Sequence, residues 1–147
     1  MTIETDSGHP LRRLFLVLTI GWAALIYYLS DQPGFDITPL FPQQDKVMHL
    51  AIYGVLGFLA MGSCKAGGCR HRAMHYWLVI ALVSLYGVLD EVHQYFVPGR
   101  HSDVYDVLAD VIGGLLGAGA MFLLLRRYVR PANGNETRIA TESTGEH

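Results

Sequence analysis

Apolar residues run with few interruptions through four stretches of the chain, Leu14 to Ser30, Val47 to Ser63, Tyr76 to Phe96 and Val104 to Leu125. Each approaches the roughly 20 residues that an α-helix needs to cross a hydrocarbon core. The second is short for that purpose, and the third and fourth carry carboxylates. Apolar length alone therefore leaves a water-soluble helical bundle as the alternative. The pattern predicts an all-α chain, a bundle of four transmembrane helices.

The distribution of charge favours the membrane. Arg12, Arg13, Lys65, Arg70, Arg72, Arg126, Arg127, Arg130 and Arg138 fall before the first span, between the second and third, or after the fourth, leaving only Lys46 and Arg100 in the other two connections. Such alternation is what the positive-inside rule produces for four spans with both termini in the cytoplasm, and a soluble bundle has no reason to show it. Composition agrees, with 51% hydrophobic and only 16% charged residues. The formal net charge of -2, with no basic stripe interleaved with aromatics, excludes nucleic acid as an expected partner. Tyr27, Tyr28, Tyr76, Trp77, Tyr95, Phe96 and Tyr128 stand where interfacial anchors belong. "RRLFLVLTIGWAALIYY" has the look of a secretory signal, but "LSDQPGF" after it holds no small-residue cleavage pattern, so it is read as an uncleaved first span.

Between the spans the chain changes character. Residues 1–11 form a polar cytoplasmic tail and 131–147 a disordered one, flanking a membrane domain over 12–130. "DQPGFDITPLFPQQDK" has three prolines and predicts an irregular outer loop, whereas "VPGRHSD" predicts a tight turn around Pro98 and Gly99. The inner loop holds Cys64, Cys69, His71 and His75, a spacing looser than that of a zinc finger and set among cations; a reduced, solvated loop is the expectation.

The polar residues that interrupt the spans gather at one depth. Asp90 follows His75 by roughly 22 Å of helix, and Asp110 enters from the opposite side about 9 Å past Val104, at about 1.5 Å per residue. His49 and Tyr53 lie one and two turns past Asp45 on the second span, and the first ends in Ser30, Asp31 and Gln32. Asp90, His93 and Gln94 share one helical face, with Glu91 about 100° away. On the fourth span Asp106, Asp110, Gly113, Gly117 and Ala120 form one stripe, so its carboxylates face the bundle interior where small residues let helices approach. An ionised group at mid-span costs roughly 2.5–3.5 kcal/mol on insertion scales, so several together imply pairing, water or function. Two readings follow: an outward-facing polar pocket, or a network such as Lys46 or Arg100 with Asp103 or Asp106 that only orients helices.

"DKVMHLAIYGVLGF" (45–58), "LYGVLDEVHQYFVPGR" (85–100) and "DVLADVIGGLLGA" (106–118), in this order and preceded by "YYLSDQP" (27–33), resemble the VanZ-like family of small bacterial membrane proteins. The resemblance implies that Lys46, His49, Tyr53, Asp90, Glu91, Gln94, Pro98, Arg100 and Asp106 occupy the family's characteristic positions, and that Asp110 departs from it, since Asn is common there. It also implies the bacterial cytoplasmic (inner) membrane. The family takes its name from a protein linked to resistance to the glycopeptide teicoplanin.

No zincin motif, nucleophile elbow or Walker loop is present, and Asp90-x-x-His93 lacks the second motif of a di-metal bundle. No metal and no cofactor are therefore expected. What remains is a desolvated group able to move protons: His49, Asp90, Glu91 and Asp106 as candidate catalytic residues, with Lys46, Tyr53, Gln94, Arg100 and Asp110 as candidate substrate-binding residues. Arg100 and Lys46 suit a phosphate or carboxylate headgroup. The leading expectation is a site for a membrane lipid or lipid-linked envelope precursor, with a homodimer as a candidate assembly. The alternatives are a proton-coupled transporter or a helper subunit of an envelope complex.

Overall fold

A computed structural model describes residues 8–33, 40–65 and 72–128. Its elements are four helices, α1 (Gly8–Ser30), α2 (Gln44–Lys65), α3 (Arg72–Tyr95) and α4 (Val104–Tyr128), and no strand occurs among the described residues. All four are long and apolar enough to cross a membrane. The helices extend beyond the apolar windows. α1 takes in the polar residues from Gly8 that the pattern assigned to a tail, because Pro10 lies in the first turn, where no backbone donor is needed. α2 likewise begins inside the expected outer loop, with Asp45 in its first turn, where the helix dipole favours an acid. The tail from residue 129 onward, together with Cys69 and His71, lies outside the described residues.

The bundle is arranged opposite to a water-soluble one. Leu16, Val17 and Ile20 on α1, Leu78, Leu82, Leu85 and Leu89 on α3, and Leu108, Leu116 and Leu123 on α4 point outward, while Asp90, Glu91, Asp106 and Asp110 point inward. An apolar surface of that extent would drive aggregation in water and is what lipid solvates. The interior holds Tyr53, Leu56, Met61, Val79, Val83, Ala118 and Met121.

α2 and α4 touch through their backbones. A Cβ at Gly117 would overlap the carbonyl of Gly54, one at Gly113 the carbonyl of Leu50, and one at Gly57 would stand 2.5 Å from the carbonyl oxygen of Gly114. Asp106, Asp110, Gly113 and Gly117 follow the expected stripe on α4. Ala120 is exposed, however, and the contact continues through Gly114 and the buried Ala118, because the helix face turned to α2 drifts from the predicted one. Gly54 and Gly57 are the counterpart of this stripe on α2. The other helices are tied by side chains that donate to carbonyls: Trp22 Nε1 to Ile52 (3.0 Å), Tyr86 Oη to Ala23 (2.7 Å) and Tyr76 Oη to Leu115 (3.3 Å).

The connection between α3 and α4 fixes the end of the bundle that carries the polar residues. Arg100 N donates to Val97 O (3.2 Å) across Pro98 and Gly99, and Gly99 has a φ of 76°. This is the type II turn that proline followed by a left-handed glycine produces. It aims the Arg100 side chain at α1, where Nε donates to Gln32 O (3.1 Å) and Nη2 to Leu29 O (2.7 Å), capping carbonyls that the helix leaves free. Asp103 then caps α4: its Oδ1 accepts from Tyr105 N at 2.9 Å.

Candidate functional site

All nine candidate residues lie at the same end of the bundle, but they divide into two groups with His49 and Tyr53 between them. On the α1 side, Ser30, Asp90 and Gln94 form a closed triangle. Ser30 Oγ donates to Asp90 Oδ1 (2.5 Å), and Gln94 Nε2 donates to both Ser30 Oγ (2.9 Å) and Asp90 Oδ2 (3.2 Å). Asp90 and Gln94 meet because they are one turn apart on α3. His93 does not join them, and its Nε2 lies 3.2 Å from Asp31 Oδ1 at the exposed edge.

On the α4 side the acids are deeper. Asp110 is 0% exposed and Glu91 3%. His49 Nδ1 lies 3.0 Å from Asp110 Oδ1 and 3.9 Å from Glu91 Oε1. Glu91 Oε2 accepts from the backbone N–H of Asp103 (3.0 Å). Asp110 fits against α3 because residue 87 is glycine: a Cβ there would come within 2.8 Å of Asp110 Oδ2. Three buried polar atoms, Tyr53 Oη, Glu91 Oε1 and Asp110 Oδ2, make no hydrogen bond among the described residues.

Lys46 stands at the mouth of this second group and bonds three acids, Asp103 (2.7 Å), Asp106 (3.2 Å) and Asp45 (3.2 Å). Its hydrogen bond to Asp103, which lies outside the spans, holds that carboxyl below its usual range. Replacing Lys46 with methionine leaves the buried Asp106 without its cation. The expected cost is roughly 2 kcal/mol, less than the 3–5 kcal/mol of a fully buried pair because Lys46 keeps contact with solvent. Thermal unfolding in detergent measures it, and adding Asp106→Asn to Lys46→Met should restore most of the loss.

A cavity of about 310 Å³ opens between α1, α2 and α3. Its wall combines apolar side chains, among them Ile26, Leu29, Met48 and Ile52, with the polar Ser30, His49, Tyr53, Asp90, Gln94 and Arg100. Of the sequence candidates, His49, Tyr53, Asp90, Gln94 and Arg100 thus line the cavity, whereas Glu91, Asp106, Asp110 and Lys46 do not. Arg100 spends two nitrogens on α1 carbonyls, and Nη1 makes no hydrogen bond among the described residues.

Sequence reasoning did not single out Ser30 or Gly87 for this site. Ser30 falls in the polar layer and in the family-like stretch 27–33, but its partners lie 60 and 64 residues away and no local spacing joins it to them. Gly87 stands one turn before Asp90 and Glu91, a position where a small residue beside buried acids could have been noticed.

No curated protein and no solved structure shows a significant match to the chain. A family model does, the one described as VanZ/LLP1, over residues 15–126. That span takes in most of α1, all of α2 and α3, the turn at Gly99 and nearly all of α4. With four helices fit to span a membrane and their acids turned inward, the chain is a multi-pass membrane protein that belongs to the VanZ/LLP1 family.

Proposed function

We propose that the cavity takes the polar headgroup of a membrane lipid or lipid-linked envelope precursor, with the start of its apolar chain lying along α1 and α2. The observation that carries the reading is the mixed wall, in which Ile26, Leu29, Met48 and Ile52 share one cavity with the Ser30–Asp90–Gln94 triangle and Arg100. Such a surface matches an amphipathic molecule entering from lipid. Arg100 Nη1 supplies charge for a phosphate or carboxylate. Asp90 is the group assigned to proton transfer, with His49, oriented by Asp110, as the second. Lys46, Asp103 and Asp106 act as a helix-orienting network that also sets the local field. The test is a deletion strain: its lipid and envelope-precursor profile should change, and parent protein should restore it while Arg100→Gln restores it poorly. An unchanged profile would reject the reading.

The bacterial inner membrane is the proposed location, with both termini in the cytoplasm and the cavity facing outward; resistance to glycopeptides is a phenotype to examine in the same strain. The arginine distribution supports this orientation. In intact cells Cys64 and Cys69 should react with a membrane-permeant thiol reagent and not with an impermeant one, and a cysteine introduced at Gly34 should react with both. Reversed labelling would overturn the orientation.

A further inference from the structure

We propose that His49, Glu91 and Asp110 bind a divalent transition-metal ion of the zinc or manganese type, held between α2, α3 and α4. This goes beyond the lipid reading and does not depend on it.

The geometry is the first argument. One ligand atom from each of the three residues lies within 4.8 Å of the others. A zinc-type ion sits about 2.1 Å from nitrogen and oxygen ligands. At that radius, ligands about 90° apart are roughly 3.0 Å from each other and ligands about 135° apart roughly 3.9 Å. His49 Nδ1 is 3.0 Å from Asp110 Oδ1 and 3.9 Å from Glu91 Oε1. Both distances from His49 Nδ1 are those of neighbours in one coordination sphere.

Unmet bonding is the second. Glu91 Oε1 and Asp110 Oδ2 are buried acceptors with no donor among the described residues. Carboxylate oxygens in that state call for a proton or a cation. Lys46, the lysine nearest this group, is engaged by Asp45, Asp103 and Asp106. A divalent ion with neutral imidazole would balance both carboxylates.

The supporting shell is the third. Glu91 is oriented by the Asp103 N–H on its other oxygen, and Asp110 is seated by the missing side chain at Gly87. Such outer contacts hold ligands in place before an ion arrives. One imidazole with two carboxylates suits zinc or manganese and is a poor match for calcium, which takes six to eight oxygens. Three protein ligands leave positions for water or a substrate oxygen. With an ion present, His49 Nδ1 is a ligand, and proton transfer at the cavity wall falls to Asp90. The expectation of no cofactor rested on sequence motifs, and this set has none, because its members come from three helices.

The experiment is metal analysis of the full chain, purified in detergent without a polyhistidine tag, stripped with chelator and titrated with Zn²⁺ and with Mn²⁺. The parent should bind one ion per chain. Glu91→Gln and Asp110→Asn, which keep shape and remove charge, should each weaken binding at least tenfold, and His49→Ala should abolish the nitrogen signature of the Co²⁺-substituted spectrum. Asp31→Asn, at the exposed His93 contact, should bind as the parent does. No binding by a parent that melts cooperatively, equal affinity in all variants, or loss of binding on Cys64→Ser would each overturn the proposal. None of these readouts involves a lipid, so the metal site and the headgroup site fail separately.

Discussion

Gly117→Ala should unfold the bundle more readily than any other single methyl group added to it. The new Cβ would overlap the carbonyl of Gly54 and stand 3.0 Å from the backbone nitrogen of Phe58, and backbone atoms in two helices have no rotamer to escape through. Overpacking of side chains costs typically 1–3 kcal/mol; a clash of backbone with backbone should reach or exceed about 3 kcal/mol, because α2 and α4 must separate along their length. Gly21→Ala is the opposite case, with nothing within 4 Å of the new carbon. It should stabilise α1 by about 0.5–1 kcal/mol through helix propensity. Thermal or denaturant unfolding of both in one detergent tests the sign as well as the size. Separation of α2 from α4 should also cost function, since the same approach brings His49 on α2 to Asp110 on α4. A Gly117→Ala variant as stable as the parent would show that the two helices pack less closely than described.

Asp90→Asn should abolish complementation of a deletion strain with little change in stability. The asparagine keeps the size of the side chain and one acceptor for Ser30 or Gln94, so the altered hydrogen bonds should cost no more than about 1 kcal/mol. Removing a charge from a group only 6% exposed also relieves desolvation, which could offset that loss. Loss of a proton-transferring group, by contrast, costs roughly 10²–10⁴-fold in rate. A network that merely orients helices predicts stability and function falling together. Glu91→Gln and Asp106→Asn provide the comparison. Glu91→Gln loses the charge that faces His49, and Asp106→Asn loosens Lys46, which keeps Asp103 and Asp45. If Asp90→Asn complements fully, the role assigned to Asp90 is wrong.

The sequence carried some of this site in readable form. Asp90 and Gln94 are one turn apart on a helix that hydropathy marks clearly, so their shared face followed from helical period alone, and the Pro98–Gly99 turn followed from residue chemistry. The same period put His93 with them, yet it bonds Asp31 at the edge. A side chain's turn of helix is set by local geometry; whether that turn faces a neighbour or solvent depends on where the neighbour lies. Lys46 and Arg100 read alike as free cations for a headgroup. Only Arg100 reaches the cavity, because the turn at Gly99 points it at the end of α1, whereas Lys46 opens onto three carboxylates of α2 and the start of α4.

By itself, then, the sequence determined the four helices, their fitness for lipid, the Gly113–Gly117 part of the close-packing stripe on α4 and the inward turn of the acids, since each follows from hydropathy, spacing or residue size within one segment. Only the tertiary structure decided that the acids form two groups, that Ser30 completes the first, and that Asp110 and Glu91 converge on His49 with oxygens left unbonded. Those facts depend on distances between helices and on their rotation about their axes. These are set by backbone contact at Gly54, Gly113 and Gly117, and no periodicity within a single helix encodes them.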